Sequence, residues 1–205
     1  MGKIIASALL VTAISFMGFS GFIPARAGLL DDVLSAPKTL FDRAIEARST
    51  SDIITDNQIV IEINAIMAEL GTIKASTEIY EQRLLMTGLF DDAELYEEFR
   101  ERVMEVEGIK ELYWHVEYMS EEDQEANEAE MLDWVDAIEL DARIGIHLFE
   151  TAGIADVNLR VAVDSFASVY LIGRARSQEE MLKAVEVTSA TEGVGVVINY
   201  IDMNP

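Results

Sequence analysis

The chain has 205 residues, with 38 acidic and 15 basic side chains and a formal net charge of −23. Half of the residues are apolar, which excludes a disordered acidic tail, and the acidity excludes nucleic acid as a partner because phosphates would be repelled. The absence of cysteine excludes disulfides, thiolate catalysis, cysteine-bound metals and lipid anchors attached through cysteine.

The first 27 residues predict a signal peptide. Lys3 gives a positive start, residues 4–23 carry no charge, Pro24 breaks the apolar run, and Ala25-Arg26-Ala27 has the small-x-small pattern of a cleavage site. We predict export and cleavage after Ala27, which leaves 38 acids and 13 bases and a net charge of −25. The alternative is an uncleaved N-terminus that anchors the chain in the inner membrane, since about 20 apolar residues reach across a bilayer.

Residues 28–51 predict a short amphipathic helical segment, and residues 52–119 predict a domain. Within that domain, helical and strand periodicities follow each other in the order αββαβ. The predicted elements are a helix from Ile59 to Leu70, strands at 73–79 and 83–87, a helix over 95–106 and a strand at 109–118.

Residues 120–133 form an acidic linker. Ser120 with Asp123 three positions later predicts a capped, solvated helical spacer, which is the usual meaning of a run of like charges. A cation site or an acidic partner-binding patch is the alternative. The sequence has no EF-hand pattern, since no glycine lies among the acids.

Residues 134–205 repeat the order αββαβ as a second domain. Leu84–Gly88 and Val169–Gly173 match at a spacing of 85 positions, and Gly108 and Gly193 keep that spacing. The copies differ in length between first helix and hairpin, and the extra residues of the second copy fall around 150–156. We predict an α+β fold with two tandem units, each a small three-stranded mixed sheet with two helices packed on one face.

The repeated glycines have a structural interpretation. Gly88 and Gly173 are predicted to end a hairpin strand before the chain turns into a helix. Gly108 and Gly193 are predicted to follow that helix, where positive φ favours glycine.

The sequence offers no catalytic motif. His115 and His147 lie in different copies without ligand spacing, so unrelated structural histidines are favoured over a histidine pair or a pH switch. Gly193-Val194-Gly195 leads into a strand, so it is not a dinucleotide loop. We predict no enzyme, no cofactor and no metal site.

Three aromatic residues cluster in the last strand of the first copy: Tyr113, Trp114 and Tyr118. A ligand-stacking surface is one interpretation. Packing against the adjoining domain is favoured, because aromatic side chains dominate buried interfaces.

The second copy resembles the BON domain family. Val169-Tyr-Leu-Ile-Gly173, then Ser177-x-x-Glu180, then Glu192-Gly-Val-Gly-Val-Val-Ile-Asn199 follow the family pattern of a strand ending in Leu-x-Gly, a helix, and Gly-Val-x-x-Val-x-Asn. In the first copy Trp114 stands where the asparagine is expected. The residues identified as structural parts of the family motif are Gly88, Gly108, Gly173, Gly193, Val197 and Asn199.

The resemblance implies an exported protein with two BON domains, similar to the osmotically inducible periplasmic and outer-membrane lipoprotein members of the family. Because no cysteine is present to carry a lipid, the soluble periplasmic member is the closer match. The implied role is non-enzymatic: binding of phospholipid or envelope proteins, in support of outer-membrane integrity or the stress response. The alternative is a soluble periplasmic chaperone or adaptor for exported proteins.

The family also implies a contact region on the first helix of the second copy. The residues expected to contact lipid or a partner are Trp134, Leu140, Arg143 and Ile144. Anionic headgroups should repel a chain of this charge, so the charge argues against anionic membranes.

Overall fold

A computed structural model of the chain describes residues 46–203. The predicted signal peptide at 1–27, its cleavage after Ala27 and most of the segment 28–51 lie outside the described residues.

Five α-helices and six strands make up the described chain. Two short 3-10 turns accompany them, at Glu128–Glu130 and Asp156–Asn158. The elements in chain order are α1 (Thr50–Leu70), β1 (Ala75–Tyr80), β2 (Arg83–Phe90), α2 (Ala93–Met104), β3 (Glu111–Tyr118), α3 (Glu121–Asn127), α4 (Trp134–Glu150), β4 (Leu159–Val163), β5 (Ser168–Ala175), α5 (Gln178–Ser189) and β6 (Val196–Met203).

The strands form two three-stranded mixed sheets with the same topology. In the order β1-β2-β3, the first pair is antiparallel and the second is parallel, and β4-β5-β6 repeats this arrangement. The predicted α+β class with two small mixed sheets is therefore confirmed.

The second half of each unit repeats with constant spacing. Strand β2, helix α2 and strand β3 reappear as β5, α5 and β6, and every boundary lies 85 residues later. The parallel registers also agree, since Arg83 pairs with Glu111 and Ser168 pairs with Val196. Residues at this spacing are equivalent positions of the two units.

Helices cover one face of each sheet. Helix α1 packs Ile59, Ile63 and Ile66 into a core with Phe99 and Val103 of α2. In the second unit, α4 and α5 pack on the sheet in the same way. Capping side chains fix where the helices begin, since Ser49, Asp92, Asp133 and Ser177 each accept a hydrogen bond from a backbone N–H of the first turn.

The other face of each sheet packs against the other sheet. A separate buried cluster lies between them and contains Tyr80, Leu85, Ala162, Tyr170 and Ile172. Both faces of β2 and β5 are consequently buried, which explains their continuous apolar runs.

Two arginines tie the sheets together. Arg83 donates to the carbonyl oxygens of Gly173 at 2.6 Å and Tyr200 at 2.9 Å. Arg174 forms an ion pair with Glu81 at 2.5 Å. These polar contacts cross the junction between the units and fix how one sheet lies on the other.

Strand β1 turns into β2 through two residues with positive φ, Glu81 at 54° and Gln82 at 65°. The buried Asp56 carboxylate supports this turn, because it accepts hydrogen bonds from the backbone N–H groups of Glu81 at 3.0 Å and Gln82 at 2.7 Å. Arg48 neutralises that carboxylate at 3.0 Å. A turn without glycine is thus held in place by a buried ion pair.

The prediction that Gly88 and Gly173 end their strands is wrong. Both lie inside strands that continue for two more residues. A Cβ at Gly88 would clash with the carbonyl oxygen of Lys74, and one at Gly173 would clash with that of Asn158. These glycines are needed for the close approach of the neighbouring strand.

Gly108 and Gly193 have positive φ, at 90° and 97°. They lie in the turn before the next strand, four residues beyond the last residues of α2 and α5, so they are not helix caps. The acidic segment contains helix α3, capped by Ser120 and without a buried residue, which agrees with a solvated helical spacer.

Candidate functional site

Helix α4 presents two apolar sides. Its buried side contains Leu140, Ile144 and Leu148, which are 3%, 0% and 2% exposed in the second core. Its other side is solvent-exposed and also apolar: Trp134 is 50% exposed, Val135 58%, Ile138 51% and Ile146 55%. A helix with a buried stripe normally carries polar residues on the opposite side, so this second stripe needs an explanation.

The exposed residues follow helical spacing. With 3.6 residues per turn, positions 134, 138, 142 and 146 project on one side, and Val135 lies beside them. The small, exposed Ala142 lies between Ile138 and Ile146. We call Trp134, Val135, Ile138, Ala142 and Ile146 the α4 apolar face. The exposed Phe149 lies next to it, one turn beyond Ile146.

The ends of α4 are fixed to the rest of the second unit. Asp133 caps the first turn by accepting from the N–H of Asp136 at 2.8 Å. Leu132, just before the helix, donates its N–H to the carbonyl oxygen of Ser165 at 2.7 Å. Near the other end, Nδ1 of His147 contacts the Thr191 hydroxyl at 2.8 Å. The apolar face therefore lies on a rigid support.

The polar border of the apolar face is acidic. Asp136, Glu139 and Glu150 lie along it, and all three are exposed. Arg143 is on the same side, but its guanidinium donates to the carbonyl oxygen of Glu192 at 2.9 Å. The border therefore carries negative charge next to an apolar surface.

Two half-buried carboxylates lie on the opposite border: Asp141 of α4 and Glu78 of β1. Burial raises the pKa of Asp141 to about 6, and its Oδ1 atom has no hydrogen-bond partner within the described structure. Burial, together with the Asp141 charge, raises the pKa of Glu78 to about 8, and Arg160 partly opposes that rise. At neutral pH, Glu78 therefore keeps a proton that an exposed carboxylate would release.

The four residues expected to contact lipid or a partner do not share one surface. Trp134 is exposed and lies on the α4 apolar face, whereas Leu140 and Ile144 are buried in the core. Arg143 points at the Glu192 carbonyl group. From the sequence, the contact was expected at Leu140 and Ile144 of the buried stripe, and the exposed residues Val135, Ile138 and Ile146 were not predicted. The second set of apolar residues at helical spacing was the signal that could have found them.

The four glycines of the family motif lie within β2 and β5 or in the turns before β3 and β6. Val197 packs on the second core. Asn199 is exposed on β6, and its Oδ1 accepts the N–H of Ile201 at 2.9 Å.

The two histidines are far apart in the fold. His115 lies at the sheet–sheet junction, whereas His147 contacts Thr191 in the second unit. Over residues 46–203, no group of three or more histidine and acidic side chains is arranged to hold a metal ion. In the same range, no helix is long and apolar enough to cross a membrane.

Part of the chain matches the model of a known domain family. The model of the BON domain matches residues 139–205, which take in most of α4 and all of β4, β5, α5 and β6. A BON domain is therefore found in this part of the chain. The family is linked to phospholipid binding and to envelope proteins.

No curated protein matches the chain. Two solved structures of CdsD, a structural protein of the type III secretion system of Chlamydia trachomatis, are similar at 12% identity and a TM-score of 0.30. They cover 72% of this chain, and the matches span 93% of one CdsD chain and 98% of the other, its C-terminal domain. A likeness at this TM-score carries no argument about fold or function.

Proposed function

We propose that this is a non-enzymatic, exported envelope protein that binds phospholipid through the α4 apolar face. The observation that carries the proposal is a continuous exposed apolar stripe on a helix whose opposite stripe is buried. Exposed apolar patches mark interaction surfaces, and an amphipathic helix can lie in the membrane interface with its apolar side in the acyl region. Trp134, at the first turn, has the ring type that prefers that interface.

The acidic border makes the proposal more specific about the lipid. Asp136, Glu139 and Glu150 would face the headgroups when the apolar face is inserted, and Arg143 is occupied by a backbone carbonyl. Anionic headgroups would be repelled, so the favoured surface is zwitterionic. Salt should strengthen binding to mixed membranes, because it screens that repulsion.

We also propose that the first unit is a second domain of the same type and that the protein is located in the periplasm. The constant spacing of 85 residues from β2–β3 to β5–β6 supports a second BON-type domain at 52–119, joined through the acidic linker 120–133 to a domain at 134–205. The apolar N-terminus and the small residues before Gly28 support export to the periplasm. A role in outer-membrane integrity or the stress response would follow from lipid binding there.

Vesicle flotation tests the lipid proposal. The full mature chain should float with phosphatidylcholine vesicles and less well when phosphatidylglycerol is added. The double variant Ile138→Gln/Ile146→Gln should lose most of that binding. Ile61→Gln on α1 is the matched control, since that isoleucine is 68% exposed. The proposal fails if the wild type does not float or if Ile61→Gln loses as much binding.

The second candidate is an adaptor for exported proteins. The acidic border favours it, because an apolar strip beside carboxylates also fits an apolar segment flanked by basic residues. No flotation, together with suppressed aggregation of an unfolded client that depends on Ile138 and Ile146, would support the adaptor over the lipid-binding role.

A further inference from the structure

The two sheets differ at their open edges. In the described structure β3 and β6 are the last strands of their sheets, and each pairs on one side with a central strand. An edge strand offers unpaired N–H and C=O groups to another strand, so proteins generally protect such edges.

In β6, one outward group is already occupied. The side-chain oxygen of Asn199 accepts the N–H of Ile201, two residues along the same strand, at 2.9 Å. In a parallel pair the inward and outward groups alternate along the strand. The N–H of Ile201 therefore points away from β5, and Asn199 covers it at the edge.

In β3, the equivalent positions lack this protection. Trp114 stands 85 residues before Asn199, and its ring packs between Tyr96 and Phe99 of α2. An indole is a donor only, so Trp114 cannot accept the N–H of Val116. Among the described residues, no side chain accepts a hydrogen bond from that N–H.

The ladder shows which groups of β3 are outward. The N–H of Met119 donates to the carbonyl oxygen of Phe90 at 2.8 Å, in continuation of the parallel ladder. The backbone N–H and C=O groups of the odd-numbered residues of β3 therefore point toward β2. The outward groups belong to Leu112, Trp114, Val116 and Tyr118, which supply a donor and an acceptor every second residue.

The charge at this edge selects among possible strands. Glu111 and Glu117 are exposed on β3, and helix α3 follows with three acids in its first turn. If two copies paired antiparallel about Trp114, Glu111 of each copy would lie opposite Glu117 of the other, and like charges at that position destabilise a sheet. A strand with basic side chains would be attracted instead.

We infer that the open edge of β3 is a docking site for an extended basic peptide segment, which adds as a fourth strand beside Leu112 to Tyr118. This site is separate from the α4 apolar face and does not depend on the lipid proposal. Main-chain hydrogen bonds would provide the binding, and the flanking glutamates would favour lysine or arginine on the incoming strand. Asn199 keeps β6 closed to the same kind of partner.

The test uses a fluorescent peptide of alternating lysine and valine on the full mature chain. Tyr118→Pro removes an outward N–H at an exposed position of β3, and Met203→Pro removes the equivalent one on β6. We expect the dissociation constant to rise about tenfold or more in Tyr118→Pro and to stay unchanged in Met203→Pro. Asn199→Val should open β6 and raise the stoichiometry from one peptide to two.

Two further measurements keep the result interpretable. A peptide of the same sequence with alternate N-methyl groups should not bind, whereas equal binding would mean unspecific charge attraction and would overturn the inference. Amide exchange in the wild type should slow at Trp114 and Val116 when peptide is added, which does not require any variant to fold. Absence of that protection, or a dimer of the free chain that Tyr118→Pro dissolves, would also overturn it.

Discussion

Nε2 of His115 lies 2.9 Å from the hydroxyl oxygen of Tyr200, and the two residues occupy equivalent positions of the two units, 85 residues apart. A residue that contacts its own equivalent lies close to the axis that relates the repeats. The same place holds the stacked rings of Tyr113 and Tyr200, whose centroids are 3.9 Å apart. The repeat is thus visible in the contact between the sheets as well as in their topology.

His115 should make this contact sensitive to acid. Burial lowers the pKa of the imidazole, and the charges of Asp164 and Glu117 oppose that effect. Because the folded state prefers the neutral ring, its contribution to stability is present above the unfolded pKa and is lost as the pH falls below about 6.5. In thermal unfolding between about pH 7 and pH 5, His115→Phe should lose less stability than the wild type. An identical loss in both proteins would contradict this.

Glu78 should make the protein less stable as the pH rises, which is opposite to the effect of His115. Its folded pKa is raised to about 8, so the folded state holds a proton that the unfolded chain releases above its ordinary pKa of 4.5. The free energy of unfolding should therefore fall as the pH rises through this interval, and Glu78→Gln should remove much of that slope. Glu101→Gln, at an exposed position of α2, is the control. Denaturant titrations from about pH 5 to pH 9 measure the difference.

Asp56→Ala should be strongly destabilising. The substitution removes the acceptor for the N–H groups of Glu81 and Gln82 and one of the two carboxylates that pair with Arg48, so that only Glu46 remains beside the guanidinium. We expect a loss of about 3–5 kcal/mol in urea unfolding. A loss within the range of a surface substitution would show that the turn does not depend on this carboxylate.

Gly173→Ala should lower the stability of the protein, and Gly145→Ala should raise it. At Gly173, φ is 147° and a Cβ would meet the Asn158 carbonyl group, so we expect a loss of about 2 kcal/mol or more. At Gly145, inside α4, a Cβ would meet nothing within 4 Å, so we expect a gain of about 0.5–1 kcal/mol from helix propensity. The melting temperature should fall in Gly173→Ala and rise in Gly145→Ala.

The strands and helices were largely predictable, because each has a side that faces its own core. In β4, Leu159, Val161 and Val163 pack on the core of their own unit, whereas Ala162 is buried against the other sheet. On its side of the strand, Ala162 lies between Arg160 and Asp164, so the sequence carries no periodic sign of a second buried side. Ile73 was predicted within the first strand, but it is exposed and β1 begins at Ala75.

The aromatic residues of β3 show most clearly what could not be predicted from the sequence. Packing against the adjoining domain was favoured for all three, and the structure gives each a different place. Tyr113 lies between the sheets, Trp114 packs under α2, and Tyr118 is exposed. Adjacent residues of a strand point to opposite faces, so the packing expected against the adjoining domain could apply to only one face of β3, and it holds for Tyr113.

The packing of one sheet on the other also determines how the protein can be divided. Residues 139–205 include Tyr170 and Ile172, which are 6% and 0% exposed only because the first unit lies over them. Expressed alone, that segment would present these side chains to water beside two strand edges, and we expect it to aggregate. The segment that matches the family is therefore shorter than the segment that we expect to stay folded in water. Until both units have been synthesised, the apolar sheet face of each is open to association with other chains.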